Sequence, residues 1–184
     1  GIVKREVVRI VTPGTTIGHQ ALDESKNNYI MCIVYIADRY GVSVADITTG
    51  DYFVTEIENS AKLMDEIYRF SPSEIICNEA FYMSGMDLDG MKDRLGITIY
   101  SLDAWYFDDA VCRQKLLDHF KVSSFAGLGL ADYDCGVISA GALLQYLLET
   151  QKNDLSNLTH ITPYASGKYM MLDSSTRRNL ELCE

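Results

Sequence analysis

The stretch from Tyr29 to Ile57, YIMCIVYIADRYGVSVADITTGDYFVTEI, constrains the fold more than any other part of the chain. It reads as consecutive strands joined by tight turns. Tyr29 to Ala37 is apolar or aromatic throughout and rich in β-branched residues, as suits a strand buried on both faces, so it is expected at the centre of its sheet. Arg39-Tyr40-Gly41 offers the first turn. Val42 to Thr48 alternates less cleanly, as a strand nearer an edge does, and Thr49-Gly50-Asp51 turns the chain again. From Tyr52 to Ile57 the alternation puts Phe53 and Ile57 on one face and Tyr52 and Val54 on the other. The expected product is an antiparallel meander.

The segments that follow read as cover for this sheet. Ser60 can cap a helix running to about Phe70, with Leu63, Ile67 and Phe70 on one face, and Ser71-Pro72-Ser73 breaks it. Glu74 to Asn78 is a short buried strand. A crossover of this length implies parallel pairing, so the sheet is expected to be mixed. Glu79 to Leu95 predicts a helix interrupted at Ser84-Gly85 and ended by Gly96, and Ile97 to Leu102 predicts the next strand. Asp108-Asp109 suits a helix N-terminus, where carboxylates cap free N–H groups and meet the positive end of the dipole. On the helix that follows, to about Lys121, Leu116, Leu117 and Phe120 form the apolar stripe. Arg113, Gln114, Lys115 and Asp118 are left on an exposed face, a candidate binding surface. A last helix, from about Asp132 to Gln151, carries Gly136, Ala140 and Gly141 near its middle, which points to close packing on a neighbour.

A chain of 184 residues can bury about 70% of its unfolded surface, enough for one sizeable domain and a tail. Sixteen basic against twenty-six acidic residues leave a net charge of -10, which opposes independent binding to a polyanion such as DNA. No run of Lys and Arg offsets this. Neither a bilayer-spanning apolar stretch nor a signal-peptide pattern is present, so a soluble cytoplasmic location is expected and no membrane partner. The five cysteines stand singly and read as small buried apolar residues rather than metal ligands. His19 lies in a polar linker with no second ligand nearby in the sequence.

Four separated strings share one further property. They are REVVRIVTPGT from Arg5, the Asp46-Ile47-Thr48-Thr49-Gly50-Asp51 turn, ALLQYLLETQK from Ala142 and MLDSSTRRNLEL from Met171. Their order and spacing resemble MutS mismatch-repair proteins along essentially the whole chain. The resemblance implies a linker over residues 1–16, a connector domain over 17–152 and the start of a core domain over 153–184. It implies an α/β fold of ribonuclease H-like type, a mixed sheet flanked by helices, in which an antiparallel meander is extended by parallel strands. The family's mismatch-reading Phe-x-Glu is not found, and Gly167-Lys168 is a poor Walker A match, with Thr162 and Tyr169 at the required Gly and Ser/Thr positions. Mismatch reading, ATP and magnesium are therefore expected in other parts of a longer parent, from which this chain reads as an excised piece. Mismatched duplex DNA would be met only through that parent, beside the nucleoid during repair.

What the resemblance implies for partners is docking of MutL and contacts to other MutS domains; the exposed face of the Asp109 to Lys121 helix, Arg113, Gln114, Lys115 and Asp118, with Gln114 and Lys115 foremost, is where contact with MutL is expected. The fragment itself is expected to be a monomer without a cofactor. The competing class is a metal-dependent nuclease, since ribonuclease H-like folds often hold two metal ions between carboxylates. Its carboxylates would be Asp38, Asp46, Glu74 and Glu79, but the middle of the first strand, Met31 to Tyr35, offers no acid.

Overall fold

The structure is a computed structural model and describes residues 28–151 and 155–167. The sequence also favours a turn at Thr12-Pro13-Gly14-Thr15, a strand at Tyr169–Leu172 and a helix start at Asp173–Ser175; these, His19 and Cys183 lie outside the described residues. Six strands form one sheet: β1 Ile30–Ile36, β2 Arg39–Asp46, β3 Asp51–Ile57, β4 Glu74–Cys77, β5 Thr98–Ser101 and β6 Thr162–Pro163. Their spatial order is β5-β4-β1-β2-β3-β6. β1, β2 and β3 pair antiparallel, whereas β4 joins β1, β5 joins β4 and β6 joins β3 in parallel. The expected meander extended by parallel strands is thus present, with a further parallel strand on its other edge.

Helices cover both faces. On one side lie α1 Ser60–Phe70, α2 Glu79–Tyr82 and α3 Leu88–Leu95, packed over Met31, Ile33, Val42, Val44, Phe53 and Ile57. On the other, α4 Asp109–Phe120 and α5 Cys135–Gln151 pack over Cys32, Val34, Tyr52, Val54 and Ile76. Odd and even residues of β1 therefore enter different cores, which is why that strand has no polar position in its middle. The faces expected for Phe53, Ile57, Tyr52 and Val54 are those observed.

Several boundaries differ from expectation. The first hairpin turns at Ala37-Asp38, both with positive φ (51° and 64°), and not at Arg39-Tyr40-Gly41, which belongs to β2. Ile36 pairs with Arg39 across this two-residue turn, the primed type whose twist matches the flanking strands. β2 is interior rather than near an edge, because β3 covers its outer side. Asn59, one residue before Ser60, caps α1 by accepting the Lys62 N–H at 2.8 Å. The interruption expected at Ser84-Gly85 separates α2 from α3, and Gly96 ends α3 with φ 71°.

α5 runs along β2. Ser139 Oγ lies 2.8 Å from Ser43 Oγ and donates to the Cys32 carbonyl at 2.8 Å, while the Cys135 carbonyl lies against Gly41. Two strand residues rise about 6.7 Å and four helix residues about 6 Å, so the two elements stay in step over this contact.

Cys32, Cys77, Cys112 and Cys135 are free and buried, as expected of small core residues. Burial pushes the thiols of Cys77 and Cys112 up to about 12, with Asp108 and Asp109 adding to the effect at Cys112. Cys135 rises to about 11, first through burial and then through the charge of Glu56. Raised values mean that the folded chain disfavours the thiolate. Their contribution to stability is complete below the ordinary thiol value of 9.0 and is lost as pH rises from there towards 11 to 12. Native chain treated with iodoacetamide at pH 8 should leave these cysteines unmodified by peptide mass spectrometry, and urea midpoints should fall above pH 9. Rapid native labelling of any of them would contradict the packing described.

Candidate functional site

The sequence directs attention to α4, and the structure explains why that helix starts, stops and sits where it does. Asp108 caps it by accepting the Val111 N–H at 3.0 Å, and Lys121 closes it in left-handed conformation with φ 56°. Cys112 and Leu116 point inward and are fully buried, whereas Leu117 and Phe120 are only half-buried. The buried stripe therefore begins one turn earlier than expected. Cys112 is part of it because α4 crosses α5 at Gly141: a Cβ on Gly141 would stand 2.6 Å from both Cα and O of Cys112. The close packing expected of the small residues on α5 is this contact.

The outer side of α4 divides in two. Gln114 and Asp118 are exposed and joined, Gln114 Nε2 donating to Asp118 Oδ1 at 2.8 Å. Lys115 is half-buried, less open than expected. Arg113 is also half-buried and engaged locally: its Nε donates to Asp109 Oδ1 at 2.8 Å, its Nη2 to Asp134 Oδ1 at 3.4 Å, and its guanidinium lies 5.4 Å from the centre of the Phe125 ring. A cation–π contact and two carboxylates fix Arg113 as a brace between α4 and the loop before α5. Sequence reasoning missed Val111, which is 46% exposed. It stands at i, i+3 and i+7 with Gln114 and Asp118, a spacing that was legible. The outward line is thus apolar at one end and polar at the other.

The carboxylates proposed for a nuclease do not converge. Asp38 sits exposed at the hairpin tip, its Oδ1 taking the Tyr35 hydroxyl at 3.3 Å, and Glu79 is exposed in the first turn of α2. Both lie at the C-terminal end of β1. Asp46 and Glu74 lie at the opposite end, where Ile30 pairs with both Ala45 and Glu74. A seven-residue strand puts about 20 Å between those ends, whereas a two-metal site needs about 4 Å between its ions. Asp46 and Glu74 are also buried and occupied. Asp46 accepts the N–H groups of Asn28 at 3.0 Å and Thr48 at 2.9 Å, and Glu74 accepts the Tyr146 hydroxyl at 2.8 Å. Among the described residues, no three His, Cys, Asp or Glu side chains come together as a metal-ligand set, and no helix is long and apolar enough to cross a membrane.

A protein-family model, MutS domain II, matches residues 28–162, from two residues before β1 to the first residue of β6. The chain belongs to the MutS family. The DNA mismatch repair protein MutS of Lachnoclostridium phytofermentans is 55% identical over 184 residues, covering 100% of this chain and 20% of that protein. MutS of Acetivibrio thermocellus is 41% identical over 187 residues, covering 100% and 21%. The chain therefore spans about a fifth of the length of the curated MutS relatives it matches. Among solved structures, T. thermophilus RuvC in complex with Holliday junction substrate is similar with a TM-score of 0.42 and 13% identity, over 66% of this chain and 95% of that one. The MutS domain II match includes all of α4 and α5 and strands β1 to β5.

Proposed function

We propose that this chain is the connector domain of a MutS-type mismatch repair protein, without a reaction of its own, and that the outward side of α4 docks MutL. The observation that carries this reading is the line of Val111, Gln114 and Asp118, exposed on a helix whose inner side is wedged against α5 at Gly141. An exposed apolar residue beside polar ones, on a helix that cannot shift, suits a rigid docking face. Lys115 flanks this line, and Arg113 keeps α4 in place rather than reaching outward. In this reading ATP hydrolysis and mismatch recognition belong to the rest of the parent, and DNA is met through them. The net charge of -10 supports that division.

Calorimetric titration against MutL, with and without an ATP analogue, tests the proposal. Gln114→Ala and Lys115→Glu should each weaken binding about tenfold, the typical effect of one lost polar contact at an interface. Unchanged binding in both variants would remove α4 from the contact. Magnesium-dependent cleavage of DNA, abolished by Asp38→Ala, would instead favour the nuclease class.

A further inference from the structure

The segment over 155–167, which follows α5, is strapped across the module. Leu155, Leu158 and Ile161 are buried in the core that α5 shares with the sheet. His119 at the end of α4 donates its Nε2–H to the Leu158 carbonyl at 2.8 Å, and Asn157 donates to the Ile47 carbonyl in the turn between β2 and β3. β6 then lies along β3, with Phe53 opposite Thr162 and Val54 opposite Pro163, and the Tyr164 N–H donates to the Val54 carbonyl at 3.0 Å. Beyond β6 the strap meets α1.

Its fastening there is a buried carboxylate. Glu66, 1% exposed, accepts the Tyr164 hydroxyl at 2.9 Å and the Gly167 N–H at 3.1 Å, with Arg69 Nε 3.9 Å from its Oε1. The Arg69 guanidinium lies 5.5 Å from the centres of both the Phe70 and Tyr164 rings, and the Tyr164 ring packs edge-on against Phe53 and Phe70. Burial, and then the Glu66 charge, push the Tyr164 hydroxyl well up from its ordinary value, so it remains a donor. Gly167 has φ 81° and open space where a Cβ would stand, so the chain can change direction there at little cost.

We infer that Glu66 is a latch which holds the strap on α1, and that closing it makes residues 161–167 part of the connector. Two of the named donors to Glu66, Tyr164 and Gly167, come from the strap, so undocking it takes both hydrogen bonds from the buried carboxylate and leaves the more distant Arg69 Nε, 3.9 Å away on α1. A leucine at this position would hold the strap by burial alone and leave an apolar patch when it opened. A carboxylate hydrates on opening, which suits a contact that is made and broken. That the latched strap belongs to a connector rests on the connector reading; the latch itself does not.

Amide hydrogen exchange on the 184-residue chain tests the latch independently of MutL. Tyr164→Phe removes one hydroxyl, and Glu66→Gln leaves one acceptor oxygen for two donors. Each should speed exchange at Gly167 by about tenfold, with Met31 and Ile33 amides of β1 unchanged. Should Glu66→Gln loosen every amide alike, Tyr164→Phe decides. An unprotected Gly167 amide in the unsubstituted 184-residue chain, or no change at Gly167 in Tyr164→Phe, would overturn the latch.

Discussion

Gly41→Ala is expected to destabilise the chain by about 4 kcal/mol and to lower its melting temperature by about 10 °C. Its added Cβ would overlap the carbonyl of Cys135 and stand 2.8 Å from the backbone N of Gly136. Those are backbone atoms at the start of α5, so no side-chain rotation relieves the clash, and α5 must lift from the sheet. Lifting it also strains the Ser139 contacts to Ser43 and Cys32, each at 2.8 Å and buried. Gly96→Ala is the control. Gly96 has φ 71° but nothing within 4 Å of a Cβ, so it should cost only the backbone strain of about 1 kcal/mol. Urea unfolding of the two variants separates space from conformation. A cost below about 1 kcal/mol for Gly41→Ala would mean that α5 does not lie against β2 as described.

Gly41 also shows where sequence reasoning stops. Beside Arg39 and Tyr40 it reads as a turn glycine, yet the turn is two residues earlier, at Ala37-Asp38, and Gly41 is there so that a helix almost a hundred residues away can touch the strand. Local pattern records that a glycine is needed but not which neighbour requires it. The meander, its two buried faces and the helix from Ser60 were legible because apolar period and burial coincide. β6 was not, since two residues, one of them proline, carry no periodic signal and pair only because the strap returns to the edge of β3. The buried acids Asp46, Glu66 and Glu74 were equally opaque. Glu66 and Glu74 are satisfied by donors about a hundred and about seventy residues away, and Asp46, beyond its own turn at Thr48, by Asn28, so the flanking sequence does not show that these acids are buried. On α4 the polar face was found, but Arg113 was placed on it by helical spacing alone, while its partners Asp134 and Phe125 come from the next loop.

Gly141→Ala separates helix propensity from packing by the sign of its effect. Alanine is the better helix former by about 1 kcal/mol, so an α5 governed by propensity would be stabilised. The contact at α4 argues the opposite: the new Cβ would stand 2.5 Å from Cys112 Cβ and 2.6 Å from its Cα and O. Ordinary van der Waals contact begins near 3.4 Å, so the helices must separate by most of an ångström, which costs about 3 kcal/mol in a tightly packed pair. Cys112→Ala should not rescue the variant, because Cα, O and Cβ all remain. Moving α4 also pulls Arg113 from Asp134, 3.4 Å away, and changes the direction in which Val111, Gln114 and Asp118 face. If α4 docks MutL as proposed, binding should therefore weaken with the docking side chains untouched, and the loss should exceed that of Gln114→Ala. Full affinity in a destabilised Gly141→Ala chain would mean that the docking face lies elsewhere than on α4. A stabilised variant would mean that α4 and α5 are not in backbone contact at Gly141.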